Sequence, residues 1–335
     1  MRRFSLLAFI LLATAASAYA QFTFTSIDYP GATFTTAFGI NNHGDIVGAY
    51  RIEPPRHALL IKAGQFIPLA PTTILGINFS EARDINDRGD IVGQFIGDDG
   101  FFHGFLLSKG VLTTLDFPGA SQTSAFGINE FGTVVGAWDL LDADGNLLAE
   151  HGFTWKNGAF TEVNFPGSVD TAVLGINARG DFVGGWDAGL DSQTHGFVCS
   201  NGQCFSFDVP FPGTIFTQAD RINVLGHITG IYIDADDVLH GFLAVGANFT
   251  SLDFPAATST SGWGINSAGQ IVGVYGAADD SVHGYLAQSN NKAKSATPVA
   301  TGETRRSGKV VLAENVRKML QQRPTLGRFG QLDRQ

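Results

Sequence analysis

The stretch AFGINNHGDIVGAY, residues 37–50, contains the pattern Ile-Asn-x-x-Gly-x-apolar-x-Gly, which occurs six times in the chain. Successive copies are 43 to 48 residues apart, and in every copy glycine follows the asparagine at +3 and at +7. The six asparagines are Asn41, Asn86, Asn129, Asn177, Asn223 and Asn266. A period of this length indicates an array of similar supersecondary units, such as a propeller or a solenoid.

Each repeat predicts a four-stranded antiparallel meander. Asparagine favours the first position of a type I turn, and glycine takes the left-handed residue that completes a hairpin with a bulge. Residues 37–41 and 45–50 are therefore expected to form strands a and b. A His-Gly-aromatic sequence then begins strand c, and strand d ends at an aromatic-Pro pair such as Phe117-Pro118, because proline has no N–H to donate.

The register of strands c and d follows from constant spacing. The histidine of strand c and a polar residue of strand d are always thirteen apart, in the pairs His103 and Asp116, His151 and Asn164, His195 and Asp208, and His240 and Asp253. The pairs recur in several units, which favours a structural role over acid–base catalysis. The first unit departs from the pattern, since His57 faces Ala70.

The two cysteines flank an Asn-Gly turn in the fourth repeat. A two-residue hairpin loop at Asn201-Gly202 places Cys199 opposite Cys204, where cross-strand side chains lie closest. The spacing suits a disulfide, whereas two thiols alone are an incomplete metal site.

The ends of the repeat array favour a closed ring. The sixth unit stops at His283-Gly284-Tyr285-Leu286 without a strand d, while the array begins with an orphan strand d at Phe22–Asp28. If that strand completes the last blade, Asp28 lies opposite His283 and the fold is a six-bladed β-propeller. A linear β-solenoid is the rival architecture, and it would leave an unmatched strand at each end.

Three segments are expected. Residues 1–20 have the features of a signal peptide, with Arg2 and Arg3 before an apolar run and Ala18-Tyr19-Ala20 at the cleavage site. Residues 21–290 form the propeller, and residues 291–335 form a basic linker and tail with a short amphipathic helix over 309–322. No anchor motif is expected, so the sequence predicts a secreted protein, extracellular or periplasmic, and a monomer.

Charge divides the mature chain. Residues 21–290 hold 9 Lys+Arg and 28 Asp+Glu, whereas residues 291–335 hold 10 and 3. This balance excludes nucleic acid as an expected partner of the repeats. Cations, basic proteins and polar ligands such as glycans remain as possible partners of the repeats.

The sequences "FTSLDFP" at 249–255, "GIN..GQIVGVY" at 264–275 and the recurrent "HGF" resemble the HAF-type extracellular repeat of secreted bacterial proteins. The resemblance covers residues 22 to about 289 in six copies. It implies export and a β-propeller-like fold, and it implies little about activity.

Candidate ligand-binding residues come from loops in which the copies differ. The b–c and d–a loops of a propeller emerge at one end, and here the b–c loops are rich in acids. The candidate ligand-binding set is Trp138, Trp186, Trp263, Asp187 and Asp236. In the long third b–c loop, alternating oxygen ligands around a glycine indicate a calcium candidate formed by Asp142, Asp144, Asn146 and Glu150. No other cofactor is expected.

Two functions remain open from the sequence. A binding or scaffold propeller for an extracellular ligand is the first, because no nucleophile elbow, phosphate loop or zinc-protease motif is present. An enzyme that acts on extracellular polysaccharide, a lyase or hydrolase, is the second. An asymmetric cluster of acids and aromatic residues at one mouth would favour the enzyme.

Overall fold

The chain is an all-β protein. The computed structural model describes residues 22–69, 79–189 and 193–290, and within those ranges every regular element is a β-strand. The predicted signal peptide, Ala70 opposite His57, and the predicted tail helix lie outside the described residues.

Twenty-four strands are present in the described ranges. The first two repeats and the N-terminal strand contain β1 (Phe22–Ile27), β2 (Phe34–Ile40), β3 (Ile46–Arg51), β4 (His57–Lys62), β5 (Gln65–Pro68), β6 (Ser80–Ile85), β7 (Ile91–Ile96), β8 (Phe102–Ser108) and β9 (Val111–Leu115). The third and fourth contain β10 (Gln122–Ile128), β11 (Val134–Leu141), β12 (Leu147–Lys156), β13 (Ala159–Val163), β14 (Asp170–Ile176), β15 (Phe182–Asp187), β16 (His195–Ser200) and β17 (Gln203–Phe207). The last two contain β18 (Phe216–Ile222), β19 (Ile228–Ile233), β20 (Leu239–Val245), β21 (Asn248–Leu252), β22 (Ser259–Ile265), β23 (Ile271–Gly276) and β24 (Val282–Ser289).

These strands form six four-stranded antiparallel blades. Blades 2 to 5 are the separate sheets β6–β9, β10–β13, β14–β17 and β18–β21. Blade 1 is β2–β5, and blade 6 is β22, β23, β24 and β1. A single parallel bridge between Phe34 and Val282 joins blades 6 and 1 into one sheet. The predicted six-bladed β-propeller is confirmed.

The N-terminal strand closes the ring as predicted. β1 pairs antiparallel with β24 from Phe22 opposite Ser289 to Ile27 opposite Gly284. The next pair joins His283 Nδ1 to Asp28 Oδ1 at 2.5 Å. Because the first strand completes the last blade, the linear solenoid alternative is wrong.

The a–b hairpins show why asparagine and glycine recur. In the first blade the Gly44 N–H donates to the Asn41 carbonyl at 3.1 Å, and Gly44 has φ of +83°. The Asn41 side chain oxygen also accepts the N–H groups of His43 and Asp45. The same contacts occur in all six hairpins, so the predicted bulged turn is confirmed.

The asparagine amides also join the blades, which the sequence did not predict. Each Nδ2 donates to the backbone carbonyl of the corresponding asparagine in the next blade, at 3.0 to 3.2 Å. The bond from Asn266 to Asn41 closes the series. Six inter-blade hydrogen bonds therefore form a complete ring at one mouth of the central channel.

The second repeated glycine permits close packing within each blade. A Cβ on Gly184 would lie 1.9 Å from the Ala172 carbonyl oxygen and 2.8 Å from the Phe197 ring. In blades 2 to 6 the strand-c aromatic residue packs on this glycine and is almost completely buried, as Phe105, Phe153, Phe197, Phe242 and Tyr285. The His-Gly-aromatic sequence and the +7 glycine thus form one packing unit.

The predicted c–d register and the disulfide are both confirmed. Gly196 pairs with Phe207 and Cys199 with Cys204, and the two sulfur atoms are bonded. Asn201 and Gly202 have φ of +52° and +76°, as expected for the primed turn of a two-residue hairpin.

An arginine closes the propeller axis. Arg221 of blade 5 replaces a glycine found in four other blades and donates to the carbonyls of Arg83 at 2.6 Å and Phe126 at 2.8 Å. It also donates to the Leu174 carbonyl, and its Nε lies 3.4 Å from Asp84 Oδ1 of the opposite blade. The guanidinium therefore connects four blades around the axis.

Candidate functional site

The two ends of the propeller differ in charge. One end is formed by the b–c loops and the d–a connections, and we call it the acidic face. Its acidic residues include Asp28, Asp98, Asp99, Asp116, Asp142, Asp144, Asp187, Asp208, Asp234, Asp236, Asp237, Asp253, Asp279 and Asp280. The other end is formed by the a–b and c–d turns, and we call it the turn face. Its basic residues include Lys62, Arg88, Lys109, Lys156 and Arg179.

The turn face has an axial recess. The six Ile-Asn hairpin starts surround it, and Arg221 lies at its floor. Asp87 and Glu130 line its rim, where each carboxylate accepts a backbone N–H of the preceding blade, from Asn42 at 2.7 Å and from Asp87 at 3.0 Å. Burial raises the pKa of Glu130, with Asp87 contributing repulsion. The rim carboxylates thus connect successive turns.

On the acidic face, histidines link b–c loops to strand d. Nδ1 of His103, His195 and His240 lies 2.6 to 2.8 Å from Asp116, Asp208 and Asp253, in that order. His151 contacts Asn164 in the same way at 3.1 Å. The predicted cross-strand contacts are present in all five blades in which both residues are described.

The second ring nitrogen of some of these histidines contacts the b–c loop. His103 Nε2 lies 3.2 Å from Asp99, and His240 Nε2 lies 3.3 Å from Asp234. Burial, the largest single influence, lowers the pKa of both histidines, but the strand-d acids Asp116 and Asp253, together with Asp99 and Asp234, raise it overall. Each imidazole is therefore held between two acids, and the repeated arrangement anchors a loop.

The candidate tryptophans lie in different environments. Trp138 stacks on Phe117 at a centroid distance of 4.7 Å and contacts His151 at 4.8 Å. Trp186 contacts Phe165 and His195 at 4.5 and 5.1 Å. These are two members of an aromatic–histidine stack that also occurs in other blades. Neighbouring rings therefore occupy surfaces that a sugar ring would need.

The rest of the candidate ligand-binding set is distributed around the ring. Trp263, on the innermost strand of blade 6, contacts Phe38 and the Arg83 guanidinium near the axis. Asp187 ends strand β15 of blade 4, and Asp236 lies in the b–c loop of blade 5. The five candidates thus belong to four blades. Their acids share the acidic face, whereas Trp263 faces the axis.

The calcium candidate separates into two parts. Asp142 Oδ1 accepts the N–H groups of Asp144 and Asn146, and its second oxygen accepts the Asn146 amide at 2.9 Å. These three residues form an exposed turn. Glu150 is buried and lies opposite Asp139 on the neighbouring strand. Asp139 is three residues before Asp142, which places the Glu150 pair roughly 10 Å from Asp142 along the strand. The strand register therefore separates Glu150 from the turn.

Buried acids meet at the seam between blades 3 and 4. Asp139, Glu150 and Asp170 have exposed fractions of 1%, 1% and 8%. The Glu150 N–H donates to Asp170 at 3.0 Å, and Asp139 Oδ1 has no hydrogen-bond donor among the described residues. We call these three residues the carboxylate seam. Sequence reasoning missed it because the residues belong to two repeats and lie in paired strands rather than in loops.

The carboxylate seam changes the pKa of Asp139. Burial, with repulsion from Asp170, raises the pKa of Asp139 to about 8. An isolated buried carboxylate is costly unless it is protonated or paired with a cation. The seam is therefore a place where the acidic face holds either a proton or a cationic group.

The protonated seam predicts a pH dependence. A carboxyl group whose folded pKa exceeds its unfolded value contributes stability below about pH 4, and that stability is lost as the pH rises toward 8. We expect Asp139→Asn to stabilise the protein by up to about 5 kcal/mol at pH 8 and by little at pH 4, because a pKa difference of one corresponds to about 1.4 kcal/mol. Urea unfolding at a series of pH values measures this difference.

The control for this prediction is Asp98→Asn, because the Asp98 side chain is exposed and makes no hydrogen bond among the described residues. It should change stability by less than about 0.5 kcal/mol at each pH. A loss of stability in Asp139→Asn at pH 8 would contradict the protonated state and would mean that a cationic group offsets the Asp139 charge instead.

A second buried charged cluster lies between blades 1 and 2. Arg56 and Arg83 both bind the completely buried Glu81, at 2.8 and 2.6 Å. The Arg83 guanidinium also lies 4.4 Å from the Phe38 ring centroid. The cations compensate the acid here, so this cluster stabilises the inner strands, in contrast to the carboxylate seam.

Comparison with known proteins supplies no family. No family model matches the chain, and no curated protein matches it. Among solved structures, the six-bladed fungal lectin from Aleuria aurantia is similar at 11% identity, with 80% of this chain and 92% of that chain covered and a TM-score of 0.48. The β-propeller domain of the Trilobed protease from Pyrococcus furiosus is similar at 9% identity, with 78% and 95% covered and a TM-score of 0.45. Because these identities and TM-scores are low, the evidence for the blade architecture is the strand pairing of this chain itself.

Two further results concern the described residues. None of their elements is a helix long and apolar enough to cross a membrane. Among the same residues, no group of three or more His, Cys, Asp or Glu side chains is arranged to hold a metal ion.

Proposed function

We propose that the protein is an extracellular, non-catalytic binding propeller that recognises cationic ligands, such as Lys- and Arg-rich protein segments, on its acidic face. The observation that carries the proposal is the segregation of charge between the two faces. A dense set of carboxylates attracts cations and accelerates their association. Export and membership of the HAF-type repeat family belong to the same proposal, and the disulfide between Cys199 and Cys204 supports export.

The geometry favours binding over catalysis. The histidine–acid pairs, the groups best suited to acid–base chemistry, repeat around the ring and anchor loops. A reaction needs one asymmetric constellation of groups around a substrate. A glycan ligand is less favoured than a cation, because Trp138 and Trp186 are already stacked against neighbouring rings.

A binding experiment tests this proposal with an oligolysine peptide. We expect Asp98→Asn/Asp280→Asn to weaken binding about five- to thirtyfold, since each exposed charge contributes roughly 0.5–1 kcal/mol. Neither side chain makes a hydrogen bond among the described residues, and Asp280 has a φ of +67°, which asparagine tolerates. Isothermal titration calorimetry at two salt concentrations measures the affinity.

The matched control removes the same charge from the turn face. Asp87→Asn/Glu130→Gln should leave the affinity within twofold of that of the unsubstituted protein. Equal effects of the two double variants would contradict a specific acidic face. A glycan array, read with and without calcium, covers the alternative: strong glycan binding that Asp98→Asn/Asp280→Asn leaves unchanged would overturn the cationic assignment.

A further inference from the structure

The chain leaves the propeller at the end opposite the acidic face. Strand β24 begins at Val282, beside the b–c loop, and runs to Ser289, which pairs with Phe22. Asn290 Oδ1 accepts the Thr23 hydroxyl at 2.6 Å. The described part of the chain therefore ends at the turn face, and in the sequence 45 residues with 10 Lys+Arg and 3 Asp+Glu follow Asn290.

The two ends of the propeller differ in how many of their acids remain available to this basic segment. On the turn face, Lys62, Arg88 and Arg179 pair with Asp45, Asp90 and Asp181, so much of the acid is compensated locally. Among the described residues of the acidic face, the bases are Arg51 and Arg56, both in blade 1, and Arg56 is buried against Glu81. Exposed acids such as Asp98 and Asp280 have no described cation partner. Charge complementarity therefore favours the acidic face.

The carboxylate seam provides a second, independent indication of a cationic occupant. Asp139 Oδ1 is buried without a described hydrogen-bond donor. The equivalent positions in blades 2, 5 and 6 hold Ile96, Ile233 and Gly276, and those in blades 1 and 4 hold Arg51 and Asp187. A Lys or Arg side chain would supply both the missing donor and the missing charge.

The position of each base along the tail determines whether it can reach the acidic face. Strand β24 has 8 residues and is about 27 Å long, so a return to the acidic face needs at least that span. Lys292 and Lys294 are two and four residues beyond Asn290 and reach about 14 Å at most. Arg305, Arg306 and Lys309 lie far enough along the chain to reach about 50 Å.

We propose that the basic segment 305–334 binds the acidic face of its own propeller and competes there with external cationic ligands. Tethering gives the segment an effective concentration on the order of 1 mM, which favours the same chain over a second copy at micromolar protein. The competition rests on the proposed function, whereas the docking itself does not. The basic segment would thus act as an internal occupant that an external ligand must displace.

The docking is tested by zero-length carbodiimide cross-linking of the full mature protein at low micromolar concentration, followed by mass spectrometry. We expect Lys309 and Lys318 to cross-link to Asp98 and to other acids of the acidic face in the monomer, and Lys292 not to do so. About 0.5 M salt should abolish these cross-links, because charge attraction is screened. Cross-links of Lys309 mainly to Asp87 or Glu130 on the turn face, or cross-links confined to dimers, would overturn the proposal.

The competition is tested by matched double variants. Arg305→Gln/Arg306→Gln should raise the affinity for oligolysine about three- to tenfold, whereas Lys292→Gln/Lys294→Gln should leave it unchanged. Equal affinities in both variants would overturn the competition. If oligolysine does not bind and the Lys309 cross-links persist, the proposed function fails and the docking stands; if oligolysine binds and the cross-links are missing, only the docking fails.

Discussion

Gly184→Ala should destabilise the protein by about 3 kcal/mol, because the added methyl group has no space on either side. Its Cβ would lie 1.9 Å from the backbone oxygen of Ala172 and 2.8 Å from the buried Phe197 ring. The backbone oxygen belongs to the ladder of the innermost strand and cannot move without breaking strand pairing. Urea unfolding of the full mature protein measures the change.

The neighbouring residue supplies the control for this prediction. A Cβ on Gly185 would meet Gln218 Cγ at 3.4 Å and Thr194 Cγ2 at 3.5 Å, which are ordinary contacts with side chains. Gly185→Ala should therefore change stability by less than about 1 kcal/mol. Similar losses in the two variants would mean that glycine is needed for backbone freedom along this strand and not for the approach of Phe197.

The closed ring could be predicted from the sequence because local rules determine most of it. The Asn201-Gly202 turn fixes one register, and through it both the disulfide and the contact of His195 with Asp208. The count of strands then assigns the N-terminal strand to blade 6. Each step depends on neighbours within one repeat or on repetition itself.

The candidate site was less predictable because its contacts cross between repeats. The sequence predicts Trp138 at an open mouth, yet the Phe117 ring, from the d–a connection that follows the preceding blade, stacks on it. The carboxylate seam joins Asp139 of one blade to Asp170 of the next, and their distance depends on the angle between blades. The spacing of residues within a single repeat gives no information about that angle.

Arg221 is an example of the same limit at the axis. It belongs to blade 5, and Asp84 belongs to blade 2, directly across a ring of six. The sequence signal was the replacement of glycine at both positions, whose equivalents include Gly39 and Gly127. Only the closed ring shows that blades 2 and 5, the two blades without this glycine, lie opposite each other.

Removal of this arginine should have the largest effect among the polar substitutions. Arg221→Met keeps much of the side-chain volume but leaves Asp84 buried without its counterion, and it leaves the carbonyls of Arg83 and Phe126 without this donor. Breaking one member of a buried pair costs about 3–5 kcal/mol. We expect a loss of that size in urea unfolding, whereas Lys62→Met, at an ion pair with a 60% exposed lysine, should cost less than about 1 kcal/mol.

A second substitution separates the charge of Asp84 from the lost donor bonds. Burial already raises the pKa of Asp84, with Arg221 acting in the opposite direction, so Arg221→Met should raise it further. Adding Asp84→Asn to Arg221→Met should therefore recover about 1–2 kcal/mol, because the unpaired charge is removed. If the double variant is no more stable than Arg221→Met, the axial arginine stabilises the ring through its carbonyl contacts alone, and the cross-axial ion pair contributes nothing measurable.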